Sequence, residues 1–130
     1  MNNLEELSQN LQLAGAENRP ALLDLYADWC ISCKVMERSV FPQPEVASRL
    51  AQFRLLRADV TDNNLDHQAL MEQFGLFGPP SLLFFTPDGR ELAEVRIQGD
   101  IDADALARHL EAILSHQSPA KVVEIAANFR

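Results

Sequence analysis

The chain has 130 residues, 47% of them hydrophobic and 23% charged, which is one globular domain's worth and neither a disordered nor a fibrous composition. A net charge of −8 argues against nucleic acid as a partner, because phosphates demand a basic face. No stretch reaches the roughly 18 to 20 apolar residues of a membrane span, and the opening MNNLEELSQN lacks the basic and apolar regions of a signal peptide, so a soluble domain is expected.

Leu4, Leu7 and Leu11 recur at i, i+3 and i+7 and predict an amphipathic helix over residues 3–14, ended by Gly15 and the run Glu17-Asn18-Arg19-Pro20. Residues 21–27 are a near-continuous apolar run that suits a central strand, with Asp24 as the anomaly inside it. Helix is expected over 31–38, an interruption at Pro42 and Pro44, and a second helical piece over 45–52. A strand over 53–60 follows, then a helix capped by Asn63 or Asn64 and closed at Gly75. Ser81 to Phe85 reads as strand, Thr86-Pro87-Asp88-Gly89 as a turn, 92–98 as the next strand and 102–114 as a last amphipathic helix. Residues 1–115 form a single domain on this reading, and 116–130 a loosely held tail or linker remnant. Strands alternating with helices predict parallel pairing, and the tight turn makes the last two strands antiparallel. The expected architecture is an α/β fold with a central mixed sheet and helices on both faces.

Cys30-Ile31-Ser32-Cys33 carries the chemistry. It follows a buried strand and opens a helix, where unpaired N–H groups and the helix dipole favour a thiolate. The two-residue spacer places Cys33 one turn on from Cys30, within reach of a disulfide. Cys30 is then expected to be the exposed nucleophile and Cys33 the resolving thiol. Two blander readings compete. A structural zinc site needs two further ligands, and among the histidines His67, His109 and His116 the last two lack zinc-hairpin spacing. An inert disulfide closing so short a loop adds little stability.

The stretch Leu23-Asp24-Leu25-Tyr26-Ala27-Asp28-Trp29-Cys30-Ile31-Ser32-Cys33-Lys34 resembles the active-site region of the thioredoxin superfamily. Together with Val60-Thr61 and Gly78-Pro79-Pro80-Ser81-Leu82-Leu83-Phe84-Phe85, it is similar to the C-terminal thioredoxin-like domain of DsbD-type thiol:disulfide interchange proteins. The likeness covers residues 4–114. It implies a thioredoxin fold and a protein-disulfide reductase with no bound cofactor or metal. It also implies electron relay: the domain takes electrons from a membrane-embedded domain of its own protein and reduces a periplasmic N-terminal domain. From there electrons reach disulfide isomerases and cytochrome c maturation proteins. The isolated domain is expected to be a periplasmic monomer. The alternatives are a stand-alone thioredoxin-like reductase or oxidase, and a binding module with a structural Cys pair.

The resemblance also assigns supporting residues. Asp24 is implied to be a buried carboxylate beneath the Cys pair that exchanges a proton with Cys33; the blander reading is a solvent-facing side chain. Glu37, four residues after Cys33, lies on the same helix face. If it points at the cysteines, two carboxylates oppose the helix dipole and raise the Cys30 pKa; otherwise it is a solvated residue. Pro80 is implied to be cis and to shape a substrate groove. Pro79 departs from the usual pattern, because it has no N–H to offer a partner strand. Trp29 is read as a partner contact or as a packed cap on the sheet, and Tyr26 and Phe84 as core. Asp28, Ile31 and Ser32 flank the site.

Overall fold

The computed structural model describes residues 1–117, so the sequence-predicted tail over 116–130 lies almost wholly outside the described residues. In chain order the elements are α1 (Leu4–Ala16), β1 (Ala21–Tyr26), α2 (Ile31–Ser39), α3 (Pro44–Leu50), β2 (Arg54–Asp59), α4 (Leu65–Gln73), β3 (Ser81–Phe85), β4 (Ile97–Gln98) and α5 (Ala103–Gln117), with a 3-10 turn at Ala93–Val95. One mixed sheet in the order β2-β1-β3-β4 forms the middle layer.

Each strand of the sheet centre feeds both faces, as a period of two demands. Leu23 and Leu25 of β1 and Leu83 and Phe85 of β3 meet Leu7 and Ala14 of α1 and Leu70 of α4. On the opposite face Leu22, Leu82 and Phe84 meet Met36 of α2 and Val40 at its C-terminal cap, Val46 of α3, and Leu106, Leu110 and Ile113 of α5. Helices therefore cover both faces, as expected. Burying each such Leu or Phe stabilises the fold by about 1.5–3 kcal/mol before chain entropy is subtracted.

Three sequence expectations need correction. First, α1 does not stop at Gly15. It continues to Ala16, and Asn18 takes the left-handed position at φ 54° that closes the helix. Gly15 serves a different purpose: a Cβ there would lie 2.7 Å from the Pro87 carbonyl oxygen, so only glycine lets the turn press onto α1.

Second, β1 pairs in parallel with β2 but antiparallel with β3. Tyr26 stands beside Asp59, where β2 ends, and Leu25 beside Ser81, where β3 begins. The segment from Asp59 to Ser81, with the nine-residue α4, thus leaves and re-enters the sheet at the same end, which reverses β3. Third, the predicted strand over 92–98 shrinks to Ile97–Gln98. Arg96 donates to both Glu91 carboxylate oxygens, at 2.5 and 2.8 Å, and this clasp closes the intervening 3-10 turn.

The α4 boundaries agree with the sequence. The Asn64 side chain accepts from the His67 N–H at 2.9 Å, and Gly75 adopts φ 66° beyond the helix end.

Candidate active site

Cys30 is the N-cap of α2, and Cys33 lies in the first turn. The two sulfurs form a disulfide across a Cα–Cα distance of 5.3 Å. The Cys33 N–H donates to Cys30 Sγ at 3.1 Å, so an unpaired helix N–H is aimed at the outer sulfur. Cys33 Sγ lies 3.9 Å from the Leu25 carbonyl oxygen, a contact that becomes a donor–acceptor pair once that thiol carries a proton. The expected contrast in exposure is absent: Cys30 is 6% and Cys33 5% exposed. What differs between them is chemical, an N–H for Cys30 and a carbonyl for Cys33.

The loop before Cys30 is held by β2's exit. The Asp28 N–H donates to Thr61 Oγ1 at 2.8 Å, and Trp29 Nε1 donates to the Thr61 carbonyl at 3.1 Å. The Thr61 hydroxyl in turn donates to Asp59, which also accepts from the Thr61 N–H. These bonds hold the Asp59 carboxyl below its usual pKa. Trp29 is both hydrogen-bonded and 59% exposed, so its indole is fixed in place with an open face. Thr61 and Asp59 went without a role in the sequence, although Thr61 stands in a motif there. Only the parallel β1–β2 register brings them under Asp28 and Trp29.

Asp24 and Glu37 require the most revision. Asp24 lies on the α2 side of β1, its side chain 17% exposed. Arg57, its register partner on β2, donates to Asp24 Oδ2 from Nη2 at 2.9 Å and from Nε at 3.2 Å. The third guanidinium nitrogen, Nη1, donates to Glu37 Oε1 at 3.0 Å. The two carboxylates are therefore not bare charges facing a helix dipole, because one cation bridges them. Burial raises the Asp24 pKa above its ordinary value, Arg57 opposes that rise, and the Glu37 charge adds to it.

The Arg57 guanidinium also stacks on the Tyr26 ring, with Cζ 4.2 Å from the ring centre. The Tyr26 hydroxyl donates to Asp28 at 2.9 Å and accepts from Lys34 Nζ at 3.1 Å. Tyr26 and Phe84 are buried, as expected of core residues.

The Pro79–Pro80 peptide is cis. Pro80 leads directly into Ser81, the neighbour of Leu25, so the loop arrives beside the strand residue that touches Cys33. The Pro80 carbonyl accepts from the Gly99 N–H at 3.0 Å, and the Ser81 hydroxyl donates to the Gly78 carbonyl at 2.9 Å. In this loop Phe77 is fully exposed, and Ile31 stands exposed just after Cys30. Phe77 is a further large apolar group at this end that sequence reasoning passed over.

A model of the thioredoxin-like family matches residues 2–87. The C-terminal domain of Neisseria meningitidis DsbD in its oxidised form superposes with a TM-score of 0.75 at 36% identity, covering 86% of this chain and 97% of that domain. The chain belongs to the thioredoxin-like family, in its DsbD C-terminal branch. The thiol:disulfide interchange protein DsbD 1 of Pseudomonas aeruginosa is 46% identical over 112 residues, which is 86% of this chain and 19% of the relative. DsbD of Yersinia pestis is 43% identical over 99 residues, 76% of this chain and 17% of the relative. This chain thus spans about a fifth of the length of the curated relatives it matches. A thioredoxin from Thermus thermophilus shares the fold, with a TM-score of 0.73 at 21% identity. Those relatives carry the name thiol:disulfide interchange protein, and this chain holds a Cys30–Cys33 disulfide at the start of α2.

Proposed function

We propose that this domain works as a reductant in an electron relay, taking electrons from a membrane-embedded domain and passing them to a periplasmic partner domain of the same, longer protein. The observation that carries the reading is the disulfide at the start of α2, beside the Pro79–Pro80 loop, in a chain of the DsbD C-terminal branch. No helix among the described residues is long and apolar enough to cross a membrane.

In the reduced domain, the Cys30 thiolate attacks one sulfur of the partner's disulfide. A mixed disulfide forms and the partner's other sulfur leaves as a thiolate, which takes up a proton. Cys33 then loses its proton and attacks Cys30 Sγ, which closes the Cys30–Cys33 bond and releases the second partner thiolate. Two electrons and two protons move, and the domain ends in the disulfide state described above. A dithiol upstream restores it by the reverse steps. Asp24 is the buried base that receives the Cys33 proton, and Glu37 tunes the charge around it. Trp29 supplies a fixed aromatic contact. Pro79 and Pro80 line the path of the partner segment and offer it no N–H, so the partner recognises this loop through carbonyls and side-chain contact.

Equilibration in thiol redox buffers with trapping of free thiols tests the direction of flow. A reductant should have a potential of about −230 to −270 mV, toward the thioredoxin end. A value near −120 mV, that of a strong oxidant, overturns the relay reading. Cys33→Ser should accumulate a mixed disulfide through Cys30 when mixed with an oxidised partner domain, and Cys30→Ser should form none.

A further inference from the structure

Asp24 and Glu37 come from different elements, and neither touches the other directly; what joins them is one side chain that the exchange steps above leave without a task. Arg57 uses three nitrogens on two carboxylates, and its flat face lies on Tyr26. A guanidinium so placed cannot turn away from one partner without breaking with the others.

We propose that Arg57 is a positioning residue for thiol–disulfide exchange: it binds the Asp24 and Glu37 carboxylates into one unit of net charge −1 beside α2 and so governs how readily the cysteine thiols give up their protons. The inference rests on the exchange reading above. Its geometry comes from three places. Asp24 immediately precedes Leu25, whose carbonyl meets Cys33 Sγ. Glu37 lies one helical turn beyond Cys33 on α2. Arg57 is fixed opposite Asp24 by the β1–β2 register.

Without the guanidinium, the two carboxylates would present a charge of −2 to a thiolate forming on the same helix. Like charge disfavours the thiolate and raises the thiol pKa. Asp24 would also lose the one partner that opposes the effect of its burial. The other charged or titratable groups facing this cluster are Tyr26 on β1, Asp28 just beyond it, Lys34 on α2, Asp59 on β2 and the α-amino group of Met1, which donates to the Arg57 carbonyl. Lys34 donates to Tyr26 and pairs with Asp28, and the Glu37 charge also reaches it, but it does not bridge Glu37 to Asp24 as Arg57 does. A cavity of about 230 Å³, lined by Asp24 and Arg57 and otherwise by Leu22, Phe41, Leu50, Leu55 and Leu56, opens beside the pair.

The test measures the rate at which iodoacetamide alkylates the reduced domain as a function of pH. Wild type, Arg57→Lys, Arg57→Gln and Arg57→Gln combined with Glu37→Gln are compared. Arg57→Gln should move the thiolate midpoint upward by about half to one pH unit, leaving roughly three- to tenfold fewer thiolates at a given pH below it. Arg57→Lys should stay near wild type, since it keeps the charge. Adding Glu37→Gln should bring the midpoint at least halfway back. An unmoved midpoint in Arg57→Gln, or an equal move in Arg57→Lys and Arg57→Gln, overturns the inference. Should Arg57→Gln fail to fold, Glu37→Gln alone carries the test: it should move the midpoint downward, and no movement overturns the inference. A wild-type domain that does not cycle between dithiol and disulfide would instead sink the exchange reading, which keeps the two failures apart.

Discussion

At the end of the sheet where β1 stops and β3 starts, polar groups from separate segments hold one another: Trp29 and Asp28 on Thr61, Tyr26 on Asp28, and Arg57 on Asp24 and Glu37. At the far end, where β3 runs into the Thr86–Gly89 turn, aromatic packing is added to the hydrogen bonds of the turn and of Arg19. Phe84 packs edge-on to Phe53 with ring centres 5.9 Å apart, Phe85 does the same with Phe74 at 6.0 Å, and α1 presses Gly15 against Pro87. The difference separates two tasks within one sheet. On this division, charge and hydrogen bonds near the sulfurs should be open to retuning without opening the core, and the far end should bear on stability rather than on the redox chemistry.

The largest effect that can break this division is in the core. Phe84→Ala should cost about 3–5 kcal/mol of stability by denaturant titration of the oxidised protein, with the reduction potential unchanged. A potential that moves with it would join the two ends after all. Next, Gly15→Ala should destabilise by about 1–3 kcal/mol, because the new Cβ forces the Pro87 backbone away. Helix propensity alone predicts the opposite sign, a gain of up to ~1 kcal/mol, so a rise in Tm would refute the close approach.

At the other end, Trp29→Ala should slow exchange with a protein disulfide about tenfold, the scale of one lost aromatic contact, and leave exchange with a small thiol nearly unchanged. An equal slowing of both would make Trp29 a support for Cys30 rather than a contact. The subtlest effect is in the pH profile of Asp24→Asn. Burial holds the folded Asp24 pKa above the ordinary 3.8, so between those two values the folded chain binds more protons than the unfolded one. The stability this proton uptake contributes is therefore full below 3.8 and is lost as pH rises through the folded value. The stability of wild type relative to Asp24→Asn should fall over that interval, and a difference that ignores pH would mean that Asp24 is not under burial stress.

How far the sequence revealed all this depends on the range of each interaction. The Cys30–Cys33 spacing, the Asn64 cap and the Gly75 stop are local, and all were legible as patterns over a few residues. The direction of β3 was not, because it depends on where the segment after Asp59 re-enters the sheet. Gly15 looked like a helix stop because the reason for it lies in Pro87, far along the chain. The same blindness hid Arg57. Within 53–60 it reads as one of three charges spaced along a strand, and only alignment of β2 with β1 places it against Asp24. With Arg57 unseen, Glu37 reads either as solvated or, facing the cysteines, as an uncompensated partner of Asp24.

The sheet has two edge strands, and they are guarded differently. β4 offers only two residues. β2 has six, but the Met1 amino group takes the Arg57 carbonyl, and Arg54, Arg57 and Asp59 punctuate the strand, with Leu55 an exposed apolar side chain between them. Unpaired amides and carbonyls on such a border invite any extended polypeptide to join as a further strand, and charged side chains discourage it. For the exchange proposed above, these guards keep an extended partner segment, or a second copy of the domain, from being recruited into a growing sheet.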